Sequence, residues 1–465
     1  MLTHIKATLK IKVMKKILLF LGLSCCLLSC NKDDVIPINA EAEGLNDLIQ
    51  TSVNSLSPSE AQEVADIFYS RAFGDTFLKK SRSTNVSPIN NDQNVPVAYV
   101  VNNADGGWVI VSATTDYYPI LAFSDCGHIT LDANKSDGLK DWIDETILAI
   151  EESDKLDDET SSIIAAEWLQ YASDTQIEQL SDLPGGSSPE AVMCRNRMKE
   201  LNETYYTDGW SFRTLSSLTS MGIPNQVYSI ADQVGSPYEY TIVGIKDISL
   251  KTTVGPLLST KWGQGNGFNE LCPNQYPAGC VPIAMAQIMK FHKYPSSFDW
   301  NNMANTYATY ASQYLIANIG QTIGVDYGSD GSSASTSEAL DGFKYYGYQA
   351  VLKDHKSSDV ASEISNNKRP VFMRGQPGLL SNGHAWVCDG LNRNIAEYEY
   401  YVEYITNGSY NNLGYTLIDN PGAFGGSSYT YFHMNWGWKG TNDGWFVDNN
   451  IEYTTSRKDI YVSIN

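Results

Sequence analysis

The residues best suited to chemistry lie in Ala278-Gly279-Cys280-Val281-Pro282-Ile283-Ala284-Met285-Ala286-Gln287-Ile288-Met289-Lys290, where one cysteine opens an apolar helical run. Gly279 permits a close backbone approach, and Pro282 suits a first helical turn, where its missing N–H is not needed. Ala284, Met285, Ile288 and Phe291 recur at helical spacing, and Tyr294-Pro295 ends the run. A thiol at that helix start feels the positive end of the dipole, which favours the nucleophilic thiolate. The same cysteine could equally pack as a small buried hydrophobe. Its partners decide between the two.

Thiol catalysis needs a base, a group that orients the base, and donors for the tetrahedral oxyanion. The chain holds six histidines. His4 falls in a segment expected to be removed, and His128 in the N-terminal half. His292 is three turns along the helix of Cys280, and His355 sits in a charged Lys-Asp-His-Lys run that reads as a solvated turn. His384 and His433 remain. His384 stands in Asn382-Gly383-His384-Ala385-Trp386-Val387-Cys388-Asp389-Gly390, a short apolar strand between two turns. His433 belongs to Tyr431-Phe432-His433-Met434-Asn435-Trp436-Gly437-Trp438, where it reads as a strand histidine and the rival candidate for the base. Asn435 beside Trp436 suits an imidazole-orienting amide under an apolar cover.

The order Cys280, His384, Asn435 matches that of papain-like proteases, with Gln264 upstream as an oxyanion donor. Gly279-Cys280-Val281 running into Ala286 to Pro295 resembles the active-site helix of the streptopain family. Gly383-His384-Ala385, Asn435-Trp436-Gly437-Trp438, Gln264-Gly265-Asn266 and Asp326-Tyr327-Gly328 resemble four further motifs of that family, in the right order. The resemblance implies a secreted cysteine endopeptidase made as a latent zymogen. Cys280 would be the nucleophile and His384 the base, then the acid for the leaving amine. Asn435 would orient His384, Trp436 would shield that hydrogen bond, and Gln264 would join the Cys280 N–H in the oxyanion hole. Gln287 would make a structural hydrogen bond, and Trp262, Trp438 and Trp445 are further aromatics near the motifs. Rival readings are a cell-wall peptide amidase or acyltransferase on the same scaffold, and a catalytically silent surface binding protein.

These residues need elements to hold them. The resemblance implies an α+β papain-like domain over 251–465, with the Cys280 helix packed on an antiparallel sheet that bears His384 and Asn435. Ahead of it, a helix from Pro58, a Ser/Asn/Pro-rich loop over about 80–96, strands at 97–101, 108–112 and 119–123, and an amphipathic helix from Leu139 to Ile150 describe a small α+β domain. Gly106-Gly107-Trp108 and Ile120 to Asp125 resemble the inhibitory pro-domain of the same family, which would hold the precursor latent. It is assigned residues 31–150 with its tether, and 151–250 is read as a connecting region, with the activating cut before Val254. Between Gly390 and Tyr431 lies an insertion rich in Tyr, Asn and Gly, expected as an extra hairpin near the cleft.

At the N-terminus, Lys15-Lys16, an apolar run from Ile17 to Leu23, and Leu27-Leu28-Ser29-Cys30 describe a secretory signal over 1–30, too short to span a membrane. The last four resemble a bacterial lipobox, so Cys30 would become a lipidated first residue and residues 31–50 an acidic tether. The expected location is the cell envelope, as an outer-membrane or cell-surface lipoprotein, or secreted after processing. The net charge of −21 argues against nucleic acid or an anionic membrane surface as partner. The expected partners are protein or peptide substrates and the chain's own pro-domain. Apart from the signal-region cysteines, Cys126, Cys194, Cys272, Cys280 and Cys388 form an odd set without metal-ligand spacing, so no metal or cofactor is expected. A disulfide at Cys272 stays open.

Overall fold

A computed structural model describes residues 55–73, 84–131, 137–157, 160–161, 164, 167–168, 171, 187–205, 209–218, 225–248, 250–375, 383–395, 398–406, 409–418, 428–448 and 457–464. The export signal, Cys30 and the tether lie outside the described residues, as does Asn382.

Helix α1 (Pro58–Phe73) starts on a reciprocal cap. The Glu60 N–H donates to the Ser57 hydroxyl at 3.3 Å, and the Ser57 N–H to the Glu60 carboxylate at 2.7 Å. Strands β1 (Thr84–Asn90), β2 (Pro96–Asn103), β3 (Trp108–Ser112) and β4 (Ile120–Ser124) form an antiparallel meander, completed by α2 (Asp137–Glu151). β1 falls where the sequence reads as a loop. It is the outer strand, and an edge tolerates the N–H that Pro88 lacks. Next come α3 (Pro189–Tyr205), β5 (Trp210–Thr214), α4 (Asn225–Val234), β6 (Ile242–Asp247) and β7 (Leu250–Val254).

The third stretch holds α5 (Cys280–His292), α6 (Tyr310–Ile323), α7 (Thr336–Tyr345), β8 (Gln349–Asp354) and α8 (Ser357–Asn367). β9 (Val371–Gly375), β10 (His384–Ile395), β11 (Tyr398–Thr406) and β12 (Ser409–Ile418) follow. The chain closes with β13 (Ser428–Asn435), β14 (Gly444–Val447) and β15 (Lys458–Ser463). One large sheet runs β1-β2-β3-β4-β14-β13-β10-β9-β15-β8, with β7 also paired to β10, and a second runs β12-β11-β6-β5. The N-terminal meander therefore extends the sheet that carries His384, through β4 on β14 (Phe123 opposite Trp445).

Alternation along β10 explains why both its faces are buried. Ala385 and Val387 pack with Met285, Ile288, Ile316 and Phe343 of α5, α6 and α7. Trp386 and Cys388 face the other way, into a core shared with Leu121, Trp142 and Phe446. The inserted segment does form a hairpin, β11–β12, but not near the cleft. It leaves the end of the β10–β13 ladder where Ile395 faces Ser428, whereas Asn435 faces Val387 at the opposite end. From Val387 to Ile395 along β10 that separation is roughly 26 Å. All five cysteines from Cys126 onward are free, Cys272 included. Among the described residues no helix is long and apolar enough to cross a membrane, and no His/Cys/Asp/Glu group could hold a metal.

Candidate active site

Cys280 is the first residue of α5, and Gly279 caps it at φ 89°, where only glycine sits without strain. A Cβ there would also meet the Ser332 carbonyl at 3.0 Å. Val281 through Met289 are all buried, so packing fixes the helix and with it the half-buried thiol at its mouth. Burial pushes the Cys280 thiol up, yet the His384 hydrogen bond and charge, the Ala385 N–H and the Arg374 guanidinium outweigh it and hold the thiol below its ordinary value. Arg374 is held by the Ala334 carbonyl at 3.2 Å and the Thr336 hydroxyl at 3.3 Å. The sequence reading passed over Arg374, although a lone cation in the strand Val371-Phe372-Met373-Arg374-Gly375 was its visible signal.

His384 opens β10 and is 1% exposed. Its Nε2 lies 3.0 Å from the Trp436 backbone carbonyl. A carbonyl only accepts, so Nε2 carries the proton and Nδ1 is left for Cys280. The imidazole lies nearly parallel to the Trp386 ring (6.2 Å between centroids, 11° between planes) and to the Trp438 ring (6.0 Å, 8°).

The orienting role expected of Asn435 thus falls to the carbonyl of the next residue. Asn435 Nδ2 donates to the Thr260 carbonyl at 2.9 Å, and its Oδ1 accepts from Gln287 Nε2 at 3.0 Å and from the Gly437 N–H at 3.2 Å. Gln287 Oε1 also accepts the Trp262 N–H at 3.3 Å. One glutamine on the cysteine helix therefore ties down both the turn that carries Trp436 and the segment that carries Gln264. The Gln264 carbonyl accepts the Ala278 N–H at 2.8 Å, fixing that segment two residues before the nucleophile. The Trp436 indole packs on Trp386 and Phe446, and the rings that lie parallel to His384 are Trp386 and Trp438.

The N-terminal region sits on this site. A Cβ on Gly138 of α2 would fall 2.6 and 2.7 Å from Trp436 ring carbons and 2.9 Å from His384 Cδ2, so the missing side chain is what lets α2 settle there. Trp142 Nε1 donates to the Val447 carbonyl at 3.1 Å, and its ring meets Phe446 edge-on at 4.9 Å. Thr130 and Asn442 exchange hydrogen bonds at 3.2 and 3.3 Å. Burial pushes Glu145 on α2 up to about 8 against the pull of Arg457, with Asp141, Asp448 and Asp144 adding to the rise.

His433 is no rival base. Its Nδ1 lies 2.6 Å from Asp389 Oδ1, and although burial disfavours its charge, Asp389 and other carboxylates raise it overall. Asp443, pushed up to about 7 by burial, accepts the Trp436 N–H at 3.0 Å. His355, read as part of a solvated turn, is instead tucked 2.8 Å from the buried Asp459. Trp445 stacks on Phe123, joining the two regions.

Fold and site together define a papain-like cysteine peptidase domain with a further domain seated over its histidine. The Peptidase C10 family model matches residues 262–298 and 296–446, and the Spi protease inhibitor model matches residues 53–150. Streptopain of Streptococcus pyogenes serotype M28 is 26% identical over 270 residues, 44% of this chain and 58% of that protein. The chain thus spans little more than half the length of that relative. Thiol protease/hemagglutinin PrtT of Porphyromonas gingivalis is 24% identical over 282 residues, 49% of this chain and 28% of that protein. Among solved structures, a Prevotella intermedia prointerpain A fragment aligns at TM-score 0.41 and 16% identity, covering 82% of this chain and 98% of the fragment. Residues 262–446 thus match a cysteine peptidase family, and residues 53–150 match a protease inhibitor domain of the Spi type.

Proposed function

We propose that the chain is the latent precursor of an endopeptidase that cleaves proteins through a thioester on Cys280. The observation that carries this reading is the continuous path from the Cys280 thiol to His384 and on to the Trp436 carbonyl, with Gly138 of the inhibitor domain on the same imidazole. Once α2 lifts away, the thiolate attacks the scissile carbonyl carbon. The oxyanion is received by the Cys280 N–H and the Gln264 side chain. The proton on His384 Nδ1 passes to the leaving amine as the C–N bond breaks, leaving the thioester. His384 then takes a proton from water, the hydroxide releases the acid product, and the thiol is restored.

The test is casein or quenched-peptide hydrolysis by the protein freed of its inhibitor domain. Cys280→Ala is expected to lower the rate by roughly 10⁴-fold or more. Full activity in that variant would refute the mechanism, and cleavage of cell-wall peptides in place of casein would favour the amidase. Residues 15–30 support export and lipidation at Cys30. Cells fed labelled palmitate should mark the protein, and Cys30→Ser should abolish the mark. Equal labelling of the variant would contradict the anchor.

A further inference from the structure

We infer that residues 189–254 stay with the mature enzyme, as half of an accessory module whose other half is the β11–β12 hairpin, so that activation severs the chain after Tyr171 and before Pro189. The inference rests on the zymogen reading above but is carried by a different part of the molecule.

The second sheet is assembled from two distant stretches of chain. β6 pairs with β5 on one side and, on the other, with β11, from Asp247 opposite Tyr398 to Ile242 opposite Glu403. Strand alternation gives each face its own core. Ile242 and Phe212 pack under α3 with Cys194, Met198 and Leu201. Val243, Ile245, Tyr400 and Val402 pack under α4 with Val227 and Ala231. Among the described residues, neither cluster includes a side chain of the inhibitor domain or of the cysteine helix. The two halves are also locked by polar contacts. Glu403, 4% exposed, accepts from Arg197 Nε at 3.0 and 3.1 Å, and the Ile405 N–H donates to the Ser236 hydroxyl at 3.2 Å.

The chain changes allegiance just before this module. Leu156, Trp168 and Tyr171 pack on the core that the inhibitor domain shares with the main sheet, and Trp168 Nε1 donates to the Tyr117 carbonyl at 2.7 Å. From Pro189 to the end of β6 the helices and strands build the module. After β6 the chain passes directly into the main sheet as β7, paired along Leu391 to Ile395. Losing residues 189–254 would strip β6 from β11, leave Glu403 buried without its guanidinium, and bare the Tyr400 and Val402 face. A cut before Pro189 costs none of these contacts and still frees the inhibitor domain.

Limited subtilisin digestion of the full-length Cys280→Ala precursor tests this, read by N-terminal sequencing and size-exclusion chromatography. The expected stable product begins between residues 172 and 189. Its segments 189–254 and 255–465 should co-elute even where a loop between them is nicked. A stable product that begins beyond Val254, with 189–254 digested or eluting apart, would overturn the inference. The self-processed wild-type chain is expected to give the same N-terminus. Failure of the wild type to process at all would count against the zymogen reading, while the subtilisin product would still decide the fate of 189–254.

Discussion

Three neighbours with different chemistry set the reactivity of Cys280: the His384 imidazole, the Ala385 N–H and the Arg374 guanidinium. In the enzyme freed of its inhibitor domain, the pH profile of Cys280 alkylation should therefore have its half-point below that of an ordinary thiol. His384→Ala should move that half-point upward, and an unmoved profile would show that the imidazole does not set it. Asn435 acts one step removed. Asn435→Ala unpairs the buried Gln287 amide, which should cost about 1–3 kcal/mol of stability in denaturant unfolding. Its kcat should fall far less than that of His384→Ala, and equal losses would mean Asn435 touches the imidazole after all. The pairing of Cys280 with His384 was legible in the sequence from the helix start around the thiol, the turn-and-strand pattern around the imidazole and the family resemblance that links them. The orienting group was not, because a backbone carbonyl has no side-chain signature. Asn435 drew attention as the nearest polar residue, while the acceptor was the carbonyl of Trp436.

At the scale of elements, latency depends on how α2 meets β10 and the Trp436 turn. Alanine at position 138 improves helix propensity by up to about 1 kcal/mol, so a purely local view expects Gly138→Ala to be harmless or helpful. The contacts at 2.6–2.9 Å expect the reverse. The variant precursor should release α2 and let a thiol-directed epoxide reach Cys280 at least tenfold faster, and an unchanged rate would place the seal elsewhere. Trp142→Ala should act in the same direction through the Val447 and Phe446 contacts, with about 3–5 kcal/mol lost between folding and docking. The long periodic helices and the strands around Trp108 and Ile120 were legible from apolar spacing. β1 was hidden by Pro88 and its asparagines, which an edge strand tolerates. The place of the β11–β12 hairpin was illegible for another reason: its partner β6 lies more than 150 residues earlier, a pairing that no local pattern records.

For the whole molecule, the inhibitor and peptidase domains share one sheet and one continuous core, so docking and folding respond together to pH. Glu145 rises from 4.5 to about 8, Asp443 rises from 3.8 to about 7, and His433 is raised above 6.5. Each group binds its proton more tightly in the folded chain. The contribution of each is greatest at acid pH and is lost as pH climbs through those windows. The lowered Cys280 works in the opposite sense, adding stability as pH rises toward the ordinary thiol range. His292, held down to about 4 by burial, also works in that opposite sense. Glu145, Asp443 and His433, joined by the raised Asp66 and Asp144, outnumber it and Cys280, so the precursor's Tm should fall between pH 5 and pH 8 in calorimetry. Glu145→Gln should flatten part of that slope, and a Tm that rises over the same range would contradict the assignment.

The central claim is that Cys280 is a catalytic thiol held silent by the N-terminal domain. Its most direct test is intact-mass spectrometry of the chain from residue 31 onward, treated with an epoxysuccinyl inhibitor before and after that domain is removed. One adduct, mapped to Cys280, should form slowly on the precursor and at least a hundredfold faster on the processed enzyme. Equal rates in the two forms, or an adduct that maps to Cys126 while Cys280 stays free, would contradict it.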